Sequence, residues 1–152
     1  MHRLEVTNPF DGSPVGEVKL SSASEVDTAL AIAEKTHKAN KKGLPKHERI
    51  AVLKNTAEIM KGRADELALL IASEGGKPLI DAKVEVERAI DGVETCAAEI
   101  AKNSGMEIPM DLTSAGEDKI AFTTKEPIGV VVAVSAFNHP LNLIVHQVAP
   151  AI

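Results

Sequence analysis

Gly129-Val130-Val131-Val132-Ala133-Val134-Ser135-Ala136-Phe137-Asn138-His139-Pro140 is the stretch that decides the fold. Four valines and an alanine follow one glycine, the composition of a strand buried on both faces, as in a parallel sheet. Ser135 to His139 reads as a turn. Pro140 suits the first position of a new helix, where its missing N–H would have no partner anyway. Strand, turn and helix in this order are the unit of an α/β protein. One parallel strand cannot make a sheet, so its neighbours are expected outside this sequence. The apolar end, Ala149-Pro150-Ala151-Ile152, has no covering partner either, and a truncated chain is the expectation.

The charges support a buried setting for this segment. Every Asp, Glu, Lys and Arg lies at or before Glu126, and Pro127 to Ile152 has none. Such a segment is either in lipid or covered by protein. A spanning helix needs roughly 20 consecutive apolar residues. Here Asn138, His139, Pro140 and Asn142 would interrupt it at its middle, so no membrane partner is expected. Across all 152 residues, 17 basic and 22 acidic side chains give a net charge of −5, which leaves no basic excess for a nucleic-acid partner. With 44% hydrophobic and 26% charged residues the chain is globular, not disordered. The single cysteine, Cys96, excludes an intrachain disulfide. Together with a start that lacks a signal-peptide core, it points to a reducing, cytoplasmic setting.

Upstream, Leu4–Val6 and Val15–Leu20 alternate as two short strands around the turn Asn8-Pro9-Phe10-Asp11-Gly12. Four helices are expected next. The first opens with the capping box Ser22-Ala23-Ser24-Glu25 and carries Val26, Ala29, Leu30 and Ala33. The second carries Ile50, Leu53, Ala57 and Met60. The third carries Leu67, Leu70 and Ile71 and stops at Gly75-Gly76-Lys77-Pro78. The fourth carries Ala82, Val86, Ala89, Ile90, Val93, Ala97 and Ile100. Residues 107–117 read as a connecting loop, and Lys119–Thr124 as a half-exposed strand.

Most candidate reactive groups have plainer readings. Cys96 lies on the packed seam of the fourth helix, with no basic neighbour to activate it. Gly75-Gly76-Lys77 lacks the spacing of a phosphate loop and reads as a helix–helix turn. Glu85-Val86-Glu87-Arg88 reads as a solvated helix face. His2, His37 and His47 have no carboxylate or cysteine partners in sequence, so no metal is expected. Asn138 is different. Ligands of open α/β sheets bind beyond the carboxyl ends of strands, where this residue stands. Its uncharged amide can donate two hydrogen bonds, which suits either an oxyanion or a helix cap. His139, Leu143 and His146, at i, i+4 and i+7, could line a substrate or be satisfied core groups.

Ile128 to Leu141 resembles the aldehyde dehydrogenase superfamily in its Pro-Trp-Asn-Phe-Pro region. The likeness continues upstream through Asn8-Pro9-Phe10-Asp11-Gly12, Arg49 with Leu53, Glu74-Gly75-Gly76-Lys77-Pro78-Leu79, Glu85-Val86 and Glu126-Pro127-Ile128-Gly129-Val130, in the family's own order. It covers essentially the whole chain, as an amino-terminal fragment. The resemblance implies a Rossmann-like cofactor-binding domain, here incomplete. Residues 1–117 would be its amino-terminal strands and helices. Residues 118–127 would be an oligomerisation-arm strand, with a homo-oligomer as the parent, and 128–152 the first buried strand, the asparagine turn and a helix.

The implied chemistry is NAD- or NADP-dependent oxidation of a small-molecule aldehyde to the acid through a cysteine thiohemiacetal. Asn138 matches the family's oxyanion-steadying asparagine. Val134, Ser135, Ala136 and Phe137 match the turn near the nicotinamide end of the cofactor cleft. Ala136 and Phe137 stand where proline and tryptophan are usual. His139 and His146 stand where many relatives carry aromatics along the substrate tunnel, which suggests a short, polar or anionic aldehyde. The family's nucleophilic cysteine, general-base glutamate and ribose-binding lysine have no counterpart here, so the chain alone is expected to be inactive. A non-catalytic oligomerisation or interaction module is the alternative.

Overall fold

The computed structural model describes residues 3–152, so His2 lies outside the described residues. Strands β1 (Arg3–Thr7) and β2 (Pro14–Lys19) form an antiparallel ladder around the expected turn, with a register irregularity between Val6 and Thr7. Four helices follow: α1 (Ala23–Ala39), α2 (Lys46–Gly62), α3 (Ala64–Gly75) and α4 (Leu79–Lys102). Two-residue strands β3 (Glu107–Ile108) and β4 (Ala121–Phe122) pair antiparallel across a short 3₁₀ turn at Ser114–Gly116. Helix α5 (Pro140–Val148), with Pro140 in its first turn, and a 3₁₀ turn at Ala149–Ala151 complete the order.

The capping box that opens α1 is formed. Ser22 Oγ accepts from the Glu25 N–H, and the Glu25 carboxylate accepts from the Ser22 N–H.

Helix α4 is the spine. Its stripe of Ala82, Val86, Ala89, Ile90, Val93, Ala97 and Ile100 is buried, and α2, α3 and α5 pack around it. Leu53, Ala57 and Met60 face it from α2, Ala68 and Ile71 from α3, and Val145 from α5. Five of these thirteen residues are alanine, whose short side chain lets helix axes approach closely. Gly92 extends that logic, since a Cβ there would stand 3.2 Å from Val145 Cγ1. Each fully buried Leu, Val or Ile contributes about 1.5–3 kcal/mol to this core. All three phenylalanines, Phe10, Phe122 and Phe137, are exposed and add nothing to it.

Four expectations are corrected here. The valine run is joined to no strand, and Val130, Val131, Val132 and Val134 are exposed. Its composition calls for a covering layer on each face, and the described residues supply neither. The apolar stripe of α1 is likewise uncovered: that helix has no buried residue, and Val26 and Leu30 are exposed. In α3, Leu70 turns to solvent while Ala68 takes the core position, because Ala68 and Ile71, three apart, face α4 together. Glu85 is not on a solvated face but 2% exposed, inside the α4 stripe.

Glycine matters most where α3 ends. Gly76 has φ 65°, the left-handed conformation that closes a helix, and its N–H bonds the Ala72 carbonyl. A Cβ there would also lie 2.8 Å from Pro9 Cγ, so this position seats the β1–β2 turn on the helices. Gly76→Ala is expected to lower unfolding free energy by about 1–2 kcal/mol, measured by urea titration, from backbone strain and the Pro9 contact combined.

Candidate functional site

Where α4 passes the start of α5, a buried carboxylate holds two chain segments together. Glu85 Oε1 accepts hydrogen bonds from the backbone N–H groups of Leu141 (3.0 Å) and Asn142 (3.2 Å). These are donors of the first turn of α5, which has no side-chain cap of its own. A helix start needs acceptors for such groups, and its dipole favours a negative charge. Glu85 therefore caps α5 from another helix. Its second oxygen, Oε2, accepts from Lys77 Nζ at 2.5 Å. The Glu85 side chain has no exposure and that of Lys77 only 16%.

Burial alone would push the Glu85 carboxyl up. The Lys77 hydrogen bond, the two N–H donors and the Lys77 charge together outweigh burial and hold it below the usual carboxylate range.

Lys77 also reaches His139. Its Nζ lies 3.0 Å from His139 Nδ1, while Glu85 Oε2 is 3.3 Å from the same nitrogen. The lysine, the glutamate and the imidazole thus meet at one point.

The residues before α5 are tied at both ends. The Gln147 amide pairs with the Val134 backbone, its oxygen accepting from the Val134 N–H and its nitrogen donating to the Val134 carbonyl, both at 2.8 Å. Ser135 Oγ donates to the Pro140 carbonyl at 3.0 Å. Phe137 and Asn138 form the tip between these ties. Asn138 is exposed, and among the described residues its amide makes no hydrogen bond.

A cleft of about 900 Å³ opens at this tip. Asn138 and His139 line it together with Phe137, and α4 contributes Glu85 and Arg88. Among the expected site residues, Val134, Ser135, Ala136, Leu143 and His146 do not line it. His139 precedes α5 with φ −137°, so the helical spacing that would align it with Leu143 and His146 does not apply to it. His146 is exposed and Leu143 half-buried.

Cys96 is partly buried against the core. Burial, and then the Glu99 charge, raise its pKa, the opposite of an activated thiol. Among the described residues no group of three or more His, Cys, Asp and Glu could hold a metal ion, and no helix is long and apolar enough to cross a membrane.

Sequence reasoning missed Lys77 and Glu85. A signal existed for the second. Glu85 stands three residues after Ala82 and four before Ala89, within the apolar stripe rather than opposite it.

The linkage of Glu85 to pH follows from its depressed pKa. Its stabilising contribution is complete above the ordinary value near 4.5 and is lost as pH falls through the lower folded-state value. Denaturant titrations between pH 7 and pH 3 are expected to show this loss only below about pH 4.5. Lys77→Met is expected to cost about 1.5–3 kcal/mol at pH 7. It also moves the onset of acid loss upward, since burial then acts on Glu85 without the opposing cation.

Comparison with known proteins places this geometry. The whole chain, residues 1–152, matches the aldehyde dehydrogenase family. It is 38% identical to aspartate-semialdehyde dehydrogenase 1 of Pseudomonas canavaninivorans, over 98% of this chain and 32% of that protein. Among solved structures, it is similar to aldehyde dehydrogenase 21 of Physcomitrella patens in complex with the reaction product succinate. That match has a TM-score of 0.93 and 35% identity, over 99% of this chain and 31% of the other. It is also similar to NADP-dependent glyceraldehyde-3-phosphate dehydrogenase of Bacillus halodurans complexed with NADP, with a TM-score of 0.90 and 34% identity, over 99% and 32%. The chain spans about 30% of the length of the curated relatives it matches. An incomplete α/β domain, with a valine run left unpaired and helices packed on one spine, fits a match of this extent: the chain belongs to the aldehyde dehydrogenase family.

Proposed function

We propose that this chain supplies the oxyanion donor and one wall of the cofactor cleft of an NAD(P)-dependent aldehyde dehydrogenase, which oxidises a short, polar or anionic aldehyde to its acid. One observation carries the assignment. Asn138 lines the cleft at the head of α5 and is exposed there, so its two N–H donors can meet a bound partner. A neutral amide with two donors is suited to steadying charge that develops on an aldehyde oxygen, because it needs no titration.

The residues around Val134 fit a ring-bearing cofactor. Gln147 satisfies both backbone groups of Val134, and Val132, Val134 and Phe137 present exposed apolar surface. Val134, Ser135, Ala136 and Phe137 would bound the nicotinamide end. The cofactor, when bound, supplies the hydride acceptor. The covalent step and the deacylation belong to residues outside this chain.

The aldehyde class is supported from two directions. Arg88, one turn along α4 from Glu85, brings a cation to the cleft, which Glu74 and Asp81 also line. Aspartate semialdehyde, glyceraldehyde 3-phosphate and the product succinate, named for the relatives above, are all small and each bears a carboxylate or phosphate group. Residues 118–127 are assigned to an arm between subunits of a homo-oligomer. The short β3–β4 ladder brings Glu107–Ile108 to the same arm. The exposed faces of α1 and the valine run are surfaces for the rest of the cofactor-binding domain.

In the complete enzyme, Asn138→Ala is expected to lower kcat about 10²- to 10³-fold with little change in aldehyde KM, read from steady-state NAD(P)H formation. A kcat near wild type would remove Asn138 from the mechanism. Arg88→Met is expected to raise KM for an anionic aldehyde about tenfold, or about 1.4 kcal/mol, while sparing a neutral aldehyde of equal length. Equal effects on both would refute the anion preference. The 152-residue chain by itself is expected to produce no aldehyde-dependent NAD(P)H.

A further inference from the structure

The cap position of α5 is His139, whose side chain makes no capping hydrogen bond, and Asn138 stands one residue before it. The first-turn N–H groups of Leu141 and Asn142 are taken by a carboxylate 56 and 57 residues earlier in the chain. This is a costly way to begin a helix. A carboxylate removed from water is tolerated only when it is paired and its lone pairs are used. Glu85 meets both conditions, with Lys77 on Oε2 and two N–H groups on Oε1. No side chain at the cap position, His139, serves the helix, so the geometry of its first turn is set from α4.

Resting on the reading of Asn138 as oxyanion donor, we infer that Glu85, clamped by Lys77, is a positioning residue for Asn138. From α4 it caps and fixes the first turn of α5, and so sets the place of Asn138, two residues before that helix, at the cleft. The remaining ties agree with this. Gln147 anchors Val134, and Ser135 Oγ anchors the Pro140 carbonyl. Lys77 meets His139 beside the asparagine. Each neighbour of the tip is fastened, while Asn138 itself makes no hydrogen bond among the described residues. Glu85 touches no reacting atom. Its effect on the reaction passes through Asn138.

A double-mutant cycle in the complete enzyme tests this, with kcat and aldehyde KM measured for Glu85→Gln, Asn138→Ala and the pair. Glu85→Gln is expected to lower kcat about tenfold or more, with aldehyde KM changed less than about threefold, since small misplacement of a positioned group is felt in turnover. The double variant is expected to be no slower than Asn138→Ala alone. Multiplicative losses in the double variant, or wild-type kcat in Glu85→Gln, would overturn the inference while leaving Asn138 in place. Wild-type kcat in Asn138→Ala would instead overturn the oxyanion reading, and the inference with it. Lys77→Met, which leaves both cap bonds of Glu85 available, runs the same cycle with the same expected non-additivity should Glu85→Gln not fold.

Discussion

A carboxylate buried at the start of a helix constrains the rest of this structure. Glu85 is removed from water, and its charge is sustained by the Lys77 ammonium and two backbone N–H groups. Removing a single partner would leave a charge or a pair of amide donors without compensation, so these elements hold one arrangement. The α3–α4 turn that carries Lys77, the middle of α4 and the first turn of α5 are thereby fixed to one another. The tip at Asn138 inherits its position from them.

That clamp works because α4 and α5 run close together. Alanines line much of the α4 stripe, and Gly92 leaves room for Val145. The short approach brings a glutamate side chain within reach of backbone amides on the neighbouring helix. At the other end of the clamp, the left-handed Gly76 turns the chain so that Lys77 points back along α4, while the Pro9 turn packs on top. Small residues thus set the distances, and two charged ones hold them.

The uncovered surfaces have a common cause. The valine run, the α1 stripe and all three phenylalanines have the composition of buried elements without neighbours to bury them. Burial is a property of what surrounds a residue, and these described residues surround only the α4 spine. The relatives that share this fold are about three times longer than the matched region.

Local rules were sufficient for much of the chain. The four amino-terminal helices, the Ser22–Glu25 capping box, the β1–β2 turn, Pro140 at the head of α5 and Cys96 against the core all follow from short-range periodicity and capping chemistry. The α4 stripe was legible because a 3.6-residue period needs only one face to be apolar. Glu85 was not placed, although its position within that stripe pointed inward, because a carboxylate becomes a core residue only when partners arrive from elsewhere. Those partners are Lys77, eight residues away across a turn, and the amides of Leu141 and Asn142, more than fifty residues later. Likewise residue pattern alone left Asn138 as a candidate cap or oxyanion donor, and only the family resemblance favoured the second. Tertiary structure brought the cap of α5 from α4, since which donor meets which acceptor across distant segments is settled by packing and not by sequence spacing.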